Sequence, residues 1–245
     1  MRICLILVSF LVSITAPLLA ADLPTLHLCR RASGPIMIDG RANEAAWKSA
    51  PVIDQFYTVS APRRPSLTAT RAKLLWDDEY LYFCADMDDA DLYAEVTEQD
   101  GATWTNDVFE LFFRPAADKR AYYEFEVSAN NTKLDMFLPS RGSGGYARWK
   151  DRPKFGWQTA VALRGTLNEW QDKDNGWSVE GRIPWSDFAA TGGRPAVDAE
   201  WKFTLTRYDY SVDFESPELS ACAPLSRPDF HRYEDYATLR FVSGD

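Results

Sequence analysis

The sequence is short of histidine, cysteine, positive charge and helical periodicity, and each shortage narrows what the chain can do. Only His27 and His231 are available among 245 residues. A Ser-His-Asp relay would have to use one of them, and no GxSxG nucleophile turn is present to favour it. There is no HExxH pair for zinc, no Gly-rich phosphate loop and no CxxCH haem attachment. Beyond the first 20 residues the cysteines are Cys29, Cys84 and Cys222. None has redox or zinc spacing, and the favoured reading is small buried apolar residues. An odd number in an exported chain leaves one disulfide open, without fixing its pairing.

Lys and Arg number 27 against 36 Asp and Glu, a net charge of −9. Nucleic acid is therefore excluded as an expected partner, because phosphate binding needs a basic face. Acidic polysaccharides are disfavoured for the same reason, whereas a neutral sugar or a metal cation is compatible. Long apolar runs are confined to the start. Arg2 precedes an apolar stretch from Ile3 to Ile14, Pro17 breaks it, and Ala20-Ala21 offers small residues for cleavage. This is the pattern of a signal peptide over residues 1–20, with a core shorter than the ~20 residues that cross a bilayer. The expectation is a secreted or periplasmic protein with one domain over 21–245 and no membrane span after cleavage.

Aromatic residues and period-two patterning are what the chain has in abundance. Aromatics are 14% of the residues and include nine Trp, more than a core requires. Alternating or β-rich segments occur at 26–29, 72–76, 80–85, 108–113, 122–127, 133–137, 156–164, 176–183, 201–210 and 237–241. The expected fold class is all-β: a β-sandwich of about nine to eleven mostly antiparallel strands. Helix is expected only as a short piece at 42–49 capped by Asn43 and a single turn at 185–188. Two long loops, 139–153 and 216–233, read as irregular, and such loops are where binding residues tend to sit.

Two constellations stand out. In the run from Trp104 to Phe113, period two puts Asp107, Phe109, Leu111 and Phe113 on one face and Val108, Glu110 and Phe112 on the other. A strand apolar on both faces lies inside a stack, so Asp107 and Glu110 are costly unless they bind something. Trp104 offers a flat ring where a loop meets the sheet. The second is the acidic stretch Asp86, Asp88, Asp89 and Asp91, followed by Glu95, Glu98 and Asp100. It suits calcium, a hard cation that takes several oxygens, although the spacing is not an EF-hand; solvated surface charge is the competing reading. Carboxylates are plentiful enough for a glycosidase, but no pair stands out as held across a cleft.

Together these segments resemble the family 9 carbohydrate-binding modules and their family 9-like (DOMON-like) relatives. The resemblance is carried by Ile38-Asp39-Gly40 with Asn43 to Trp47, Leu75 to Tyr82, Trp104 with Asp107 and Glu110, and Tyr122 to Val127 with Asn130. Gly176 to Trp185, Trp201 to Phe203 with Arg207, and His231 to Glu234 with Leu239 to Phe241 complete it. It implies a β-sandwich of immunoglobulin-like or DOMON-like architecture. It also implies non-catalytic binding of a neutral polysaccharide or oligosaccharide, in an exported protein of polysaccharide utilisation. The implied ligand-binding residues are Trp104 and Phe230 as the two rings and Glu110 as a hydrogen-bonding carboxylate, with Asp107 and His231 beside them. The implied calcium ligands are Asp89, Asp91 and Asp100. Phe230 and Glu126 depart from the pattern of sugar-binding members, which can carry Trp and a basic residue there. Alternatives are a structural or interaction domain on the same fold, a glycoside hydrolase, and a haem module using Met87, Met136, His27 or His231.

Overall fold

The computed structural model describes residues 23, 25–150 and 154–244. The expected signal segment lies outside these residues. Twelve strands follow one another: β1 (Leu26–Arg31), β2 (Tyr57–Thr58), β3 (Thr70–Trp76), β4 (Tyr80–Met87), β5 (Val108–Arg114), β6 (Tyr122–Ser128), β7 (Lys133–Leu138), β8 (Gln158–Leu163), β9 (Trp177–Pro184), β10 (Glu200–Asp209), β11 (Glu218–Ala221) and β12 (Ala237–Val242). They form one mixed sheet in the order β7-β6-β5-β10-β12-β1-β3-β4-β9-β8, with β11 added to β10 and β2 added to β11. Pairing is antiparallel except around β1, which runs parallel to both β12 and β3.

The sheet curls until its two ends meet. Trp157, just before β8, donates its indole N–H to Asp135 of β7 at 2.7 Å. Lys133 donates to the Trp157 carbonyl at 3.1 Å, and Thr159 donates to Asn131 at 2.7 Å. The result is a sandwich-like, half-closed shell in which each half covers the other's inner face. Phe113, Tyr123 and Phe125 from β5 and β6 meet Phe188 with ring centroids 5.0–5.9 Å apart, and Phe125 meets Trp157 at 5.2 Å. Each such pair adds about 0.5–1.5 kcal/mol beyond its burial.

Local chemistry sets the turns. Asp77 accepts two backbone N–H groups, from Glu79 and Tyr80, both at 2.8 Å, and so closes the β3–β4 hairpin. Asn131 takes a left-handed φ of 64° between β6 and β7, a conformation Asn tolerates. All ten segments read as strands are strands. The sequence reading missed β2 and β11, and β11 lies within the stretch 216–233 expected to be irregular. The piece expected at 42–49 is a 3₁₀ turn, Ala45–Lys48, and Asn43 does not cap it: Glu44 stands at the cap and makes no side-chain cap bond. The turn after Pro184 runs to Thr191. The loop from 139 carries a single helical turn, α1 (Tyr146–Trp149). Cys29, Cys84 and Cys222 are buried free thiols. Among the described residues no helix is long and apolar enough to cross a membrane.

Candidate functional site

The outer face of β7, β6, β5 and β10 is the floor of a cavity of about 280 Å³. Register puts three glutamates there. Glu110 of β5 lies opposite Glu126 of β6 and Thr206 of β10, and Glu124 of β6 lies opposite Phe112. Met136 of β7, Phe112 of β5 and Tyr208 of β10 supply the apolar part of the floor. The walls come from connections. Trp104 stands on the 3₁₀ turn Thr103–Thr105 ahead of β5, Tyr146 on α1, and Phe230 and His231 on the segment between β11 and β12.

The rings are fixed in place. Trp104 is half-buried and meets Tyr146 edge-on at 4.7 Å, and its carbonyl accepts the Tyr210 hydroxyl at 3.0 Å. Phe230 is only 6% exposed, so it forms a wall and not an open platform. It packs against Tyr208 at 5.4 Å, and its carbonyl accepts the Tyr236 hydroxyl at 2.6 Å. His231 Nδ1 lies 3.0 Å from the Tyr122 hydroxyl, and burial lowers its pKa, which leaves it neutral at pH 7.

The three glutamates are buried, at 1%, 4% and 1% exposure for Glu110, Glu124 and Glu126. Burial, then mutual repulsion, pushes Glu110 and Glu124 well above the usual carboxylate range. Burial raises Glu126 to about 7, held down by hydrogen bonds from Thr103 and from a proton shared with Glu124. Thr206 donates to Glu110 at 2.7 Å and Thr103 donates to Glu126. Glu124 Oε2 is buried with no hydrogen-bond partner; the His231 Nδ1 atom is 3.9 Å away. A buried carboxylate oxygen without a donor is costly, so the floor is arranged for hydroxyl or amine groups that arrive from outside.

Of the residues expected at the ligand site, Trp104, Glu110, Phe230 and His231 line this cavity and Asp107 does not. Asp107 is fully buried on the other face, where its two oxygens accept the backbone N–H groups of Tyr93 at 2.6 Å and Tyr210 at 2.7 Å. There it joins Asp89 and Asp209, with one oxygen of each within 4.8 Å of the others. Burial raises all three, Asp89 to about 7. Arg207, 1% exposed, lies 2.9 Å from Asp89 and 3.3 Å from Asp209. The set offers only oxygen donors and exceeds Arg207 in charge, so it suits a hard cation.

The expected metal set is thereby divided. Asp89 belongs to the triad. Asp91 Oδ2 accepts the Val212 N–H at 2.7 Å, and Asp100 Oδ1 accepts the side-chain amide of Gln99 at 3.1 Å in a turn with φ 58°. Sequence reasoning missed Glu124, Tyr208 and Asp209. For Glu124 the signal was its parity with Glu126; for the other two only strand pairing brings them in.

Comparison with known proteins agrees with this fold. The family model described as "Carbohydrate family 9 binding domain-like" matches residues 38–214. The curated protein "Exoglucanase XynX" of Acetivibrio thermocellus is 26% identical over 163 residues, which is 65% of this chain; the chain spans 12% of that relative's length. A carbohydrate binding module family 9 from Caldicellulosiruptor kristjanssonii, solved with cellotriose, superimposes with a TM-score of 0.62 at 15% identity, covering 90% of this chain and 95% of that one. Its glucose complex gives 0.61 at 16%, covering 89% and 97%. A candidate carbohydrate-binding protein from Bacteroides uniformis gives 0.68 at 15%, covering 89% and 99%.

Proposed function

Because this chain belongs to the carbohydrate family 9 binding domain-like family, we propose that it is a non-catalytic module holding the terminal unit of an oligosaccharide or polysaccharide in the Trp104–Phe230 cavity. The observation that carries the reading is one cavity combining partly exposed aromatic surface with buried, under-satisfied carboxyl oxygens. The Trp104 ring covers the C–H face of a sugar, and Glu110, Glu124 and Glu126 accept its hydroxyl hydrogens. The volume is at the small end of ligand pockets, which suits one ring and not the middle of a long chain. The relatives solved with glucose and cellotriose support a glucan-type ligand.

Calcium at Asp89, Asp107 and Asp209 is the structural ion of this reading, and export through residues 1–20 places the module outside the cytoplasm. The triad lies on the face opposite the cavity floor, so the ion would brace β5 and β10 from behind. Affinity gel electrophoresis against glucans, xylans and mannans tests the proposal. Retardation by at least one polymer, lost in Trp104→Ala, is the expected result; unchanged retardation in Trp104→Ala would move the site elsewhere.

A further inference from the structure

Among the described residues, the cavity floor carries three carboxyl groups and the lining holds no Lys or Arg. Glu110, Glu124 and Glu126 sit side by side on β5 and β6. The charged and titratable groups that face them are Tyr208 from β10, Tyr122 from β6, Tyr236 ahead of β12, and Asp229 and His231 from the wall. None of these brings a positive charge, since His231 is neutral. Arg141, whose charge reaches Tyr122 and His231, is already committed to Glu234 at 2.7 Å and 2.9 Å. The Asp89 cluster behind the same strands has Arg207 as its counter-ion. The floor has none, and Glu124 Oε2 is buried without a donor.

We infer that the cavity prefers a sugar carrying a protonated amine, the ammonium taking the place of the missing cation against Glu110, Glu124 and Glu126. The inference rests on the sugar-binding reading above. Neutral sugars donate hydroxyl hydrogens to the same oxygens, but a charge-assisted bond to a carboxylate is roughly twice as strong as a neutral one. The expected preference is about tenfold. The ammonium also forces ionisation of carboxyls that burial keeps protonated, so binding releases protons.

Isothermal titration calorimetry of the protein with glucose, glucosamine and N-acetylglucosamine at pH 6.5 tests this, where ~6.5 lies below the Glu126 value and leaves a proton to release. Runs in two buffers of different ionisation enthalpy count the protons. Glucosamine binding about tenfold tighter than the other two, with protons released to buffer, is expected. In Glu126→Gln and in Glu124→Gln both sugars bind more weakly, but glucosamine loses more than glucose, so that the preference falls towards parity. Glutamine keeps the size of each side chain and replaces a group whose ionisation burial opposes, so these variants remain folded and interpretable. If glucose binds and glucosamine binds no tighter, the inference fails and the sugar site stands. If none of the three binds and no glucan retards the protein, both fail.

Discussion

Two buried acidic clusters occupy opposite faces of the same strands, and they are not equivalent. Behind the strands, Asp89 and Asp209 pair with Arg207, and the oxygens of Asp89 and Asp107 accept backbone N–H groups from Asp91, Tyr93 and Tyr210. On the cavity side, Glu110, Glu124 and Glu126 have two threonine hydroxyls, no cation and one oxygen with no partner. The oxygens of the first cluster already have donors from the fold, although the Arg207 Nε is buried without a partner. The second is satisfied only by something that enters. Burial alone therefore does not separate a structural carboxylate from a binding one; the distinction lies in what already holds its oxygens.

Charge removal breaks the comparison most sharply. Arg207→Met strips the paired cation from Asp89 and Asp209 and leaves uncompensated buried charge. Denaturant unfolding should show a loss of about 3–5 kcal/mol. Glu126→Gln should do the opposite and raise the melting temperature, because it relieves repulsion and retains a side chain that Thr103 can bond. Equal destabilisation by both would erase the distinction.

Trp104→Ala is expected to cost about 2 kcal/mol of sugar affinity, roughly 30-fold in Kd, with little change in melting temperature because Trp104 is half-buried at the cavity wall. Calcium probes the other cluster. At a hundredfold excess over its Kd, a bound ion adds about 2.7 kcal/mol of stability. Thermal melts with calcium and with chelator should differ accordingly, and Asp209→Asn should abolish the difference. A melt indifferent to calcium would mean that Arg207 alone neutralises the triad.

A further effect is that of pH. Glu126 and Asp135 have folded pKa values raised by burial to about 7 and about 6, against about 4 in an unfolded chain. Each binds its proton more tightly when folded. Its stabilising contribution is complete below the unfolded value and is lost as pH rises through the folded one. The melting temperature should therefore fall between about pH 4 and about pH 7, and Glu126→Gln should flatten part of that fall.

The strands that build the scaffold were legible because half-buried strands advertise themselves by period two. The strands β2 and β11 were not, since Tyr57–Thr58 and Glu218–Ala221 are too short to show a period and exist through their mutual pairing. The cavity was legible where one segment carried it, in Trp104 and Glu110. The same parity also separates residue 107 from residue 110, and the structure puts Asp107 behind the sheet as that parity requires. Acidic neighbours in sequence suggested Asp91 and Asp100 as metal ligands. The cluster that forms instead takes Asp209 from β10, more than a hundred residues away, because strand pairing and not sequence distance decides which oxygens meet.

The central claim is that a sugar occupies the Trp104–Phe230 cavity above Glu110, Glu124 and Glu126. A crystal structure of the protein with a short glucan oligosaccharide tests it most directly. The expected result is a terminal sugar ring on Trp104 with its hydroxyls, or an amine where present, against the three glutamates. A sugar bound instead in the hollow lined by exposed Trp170, Tyr93 and Tyr210, with the cavity holding only water, would contradict it.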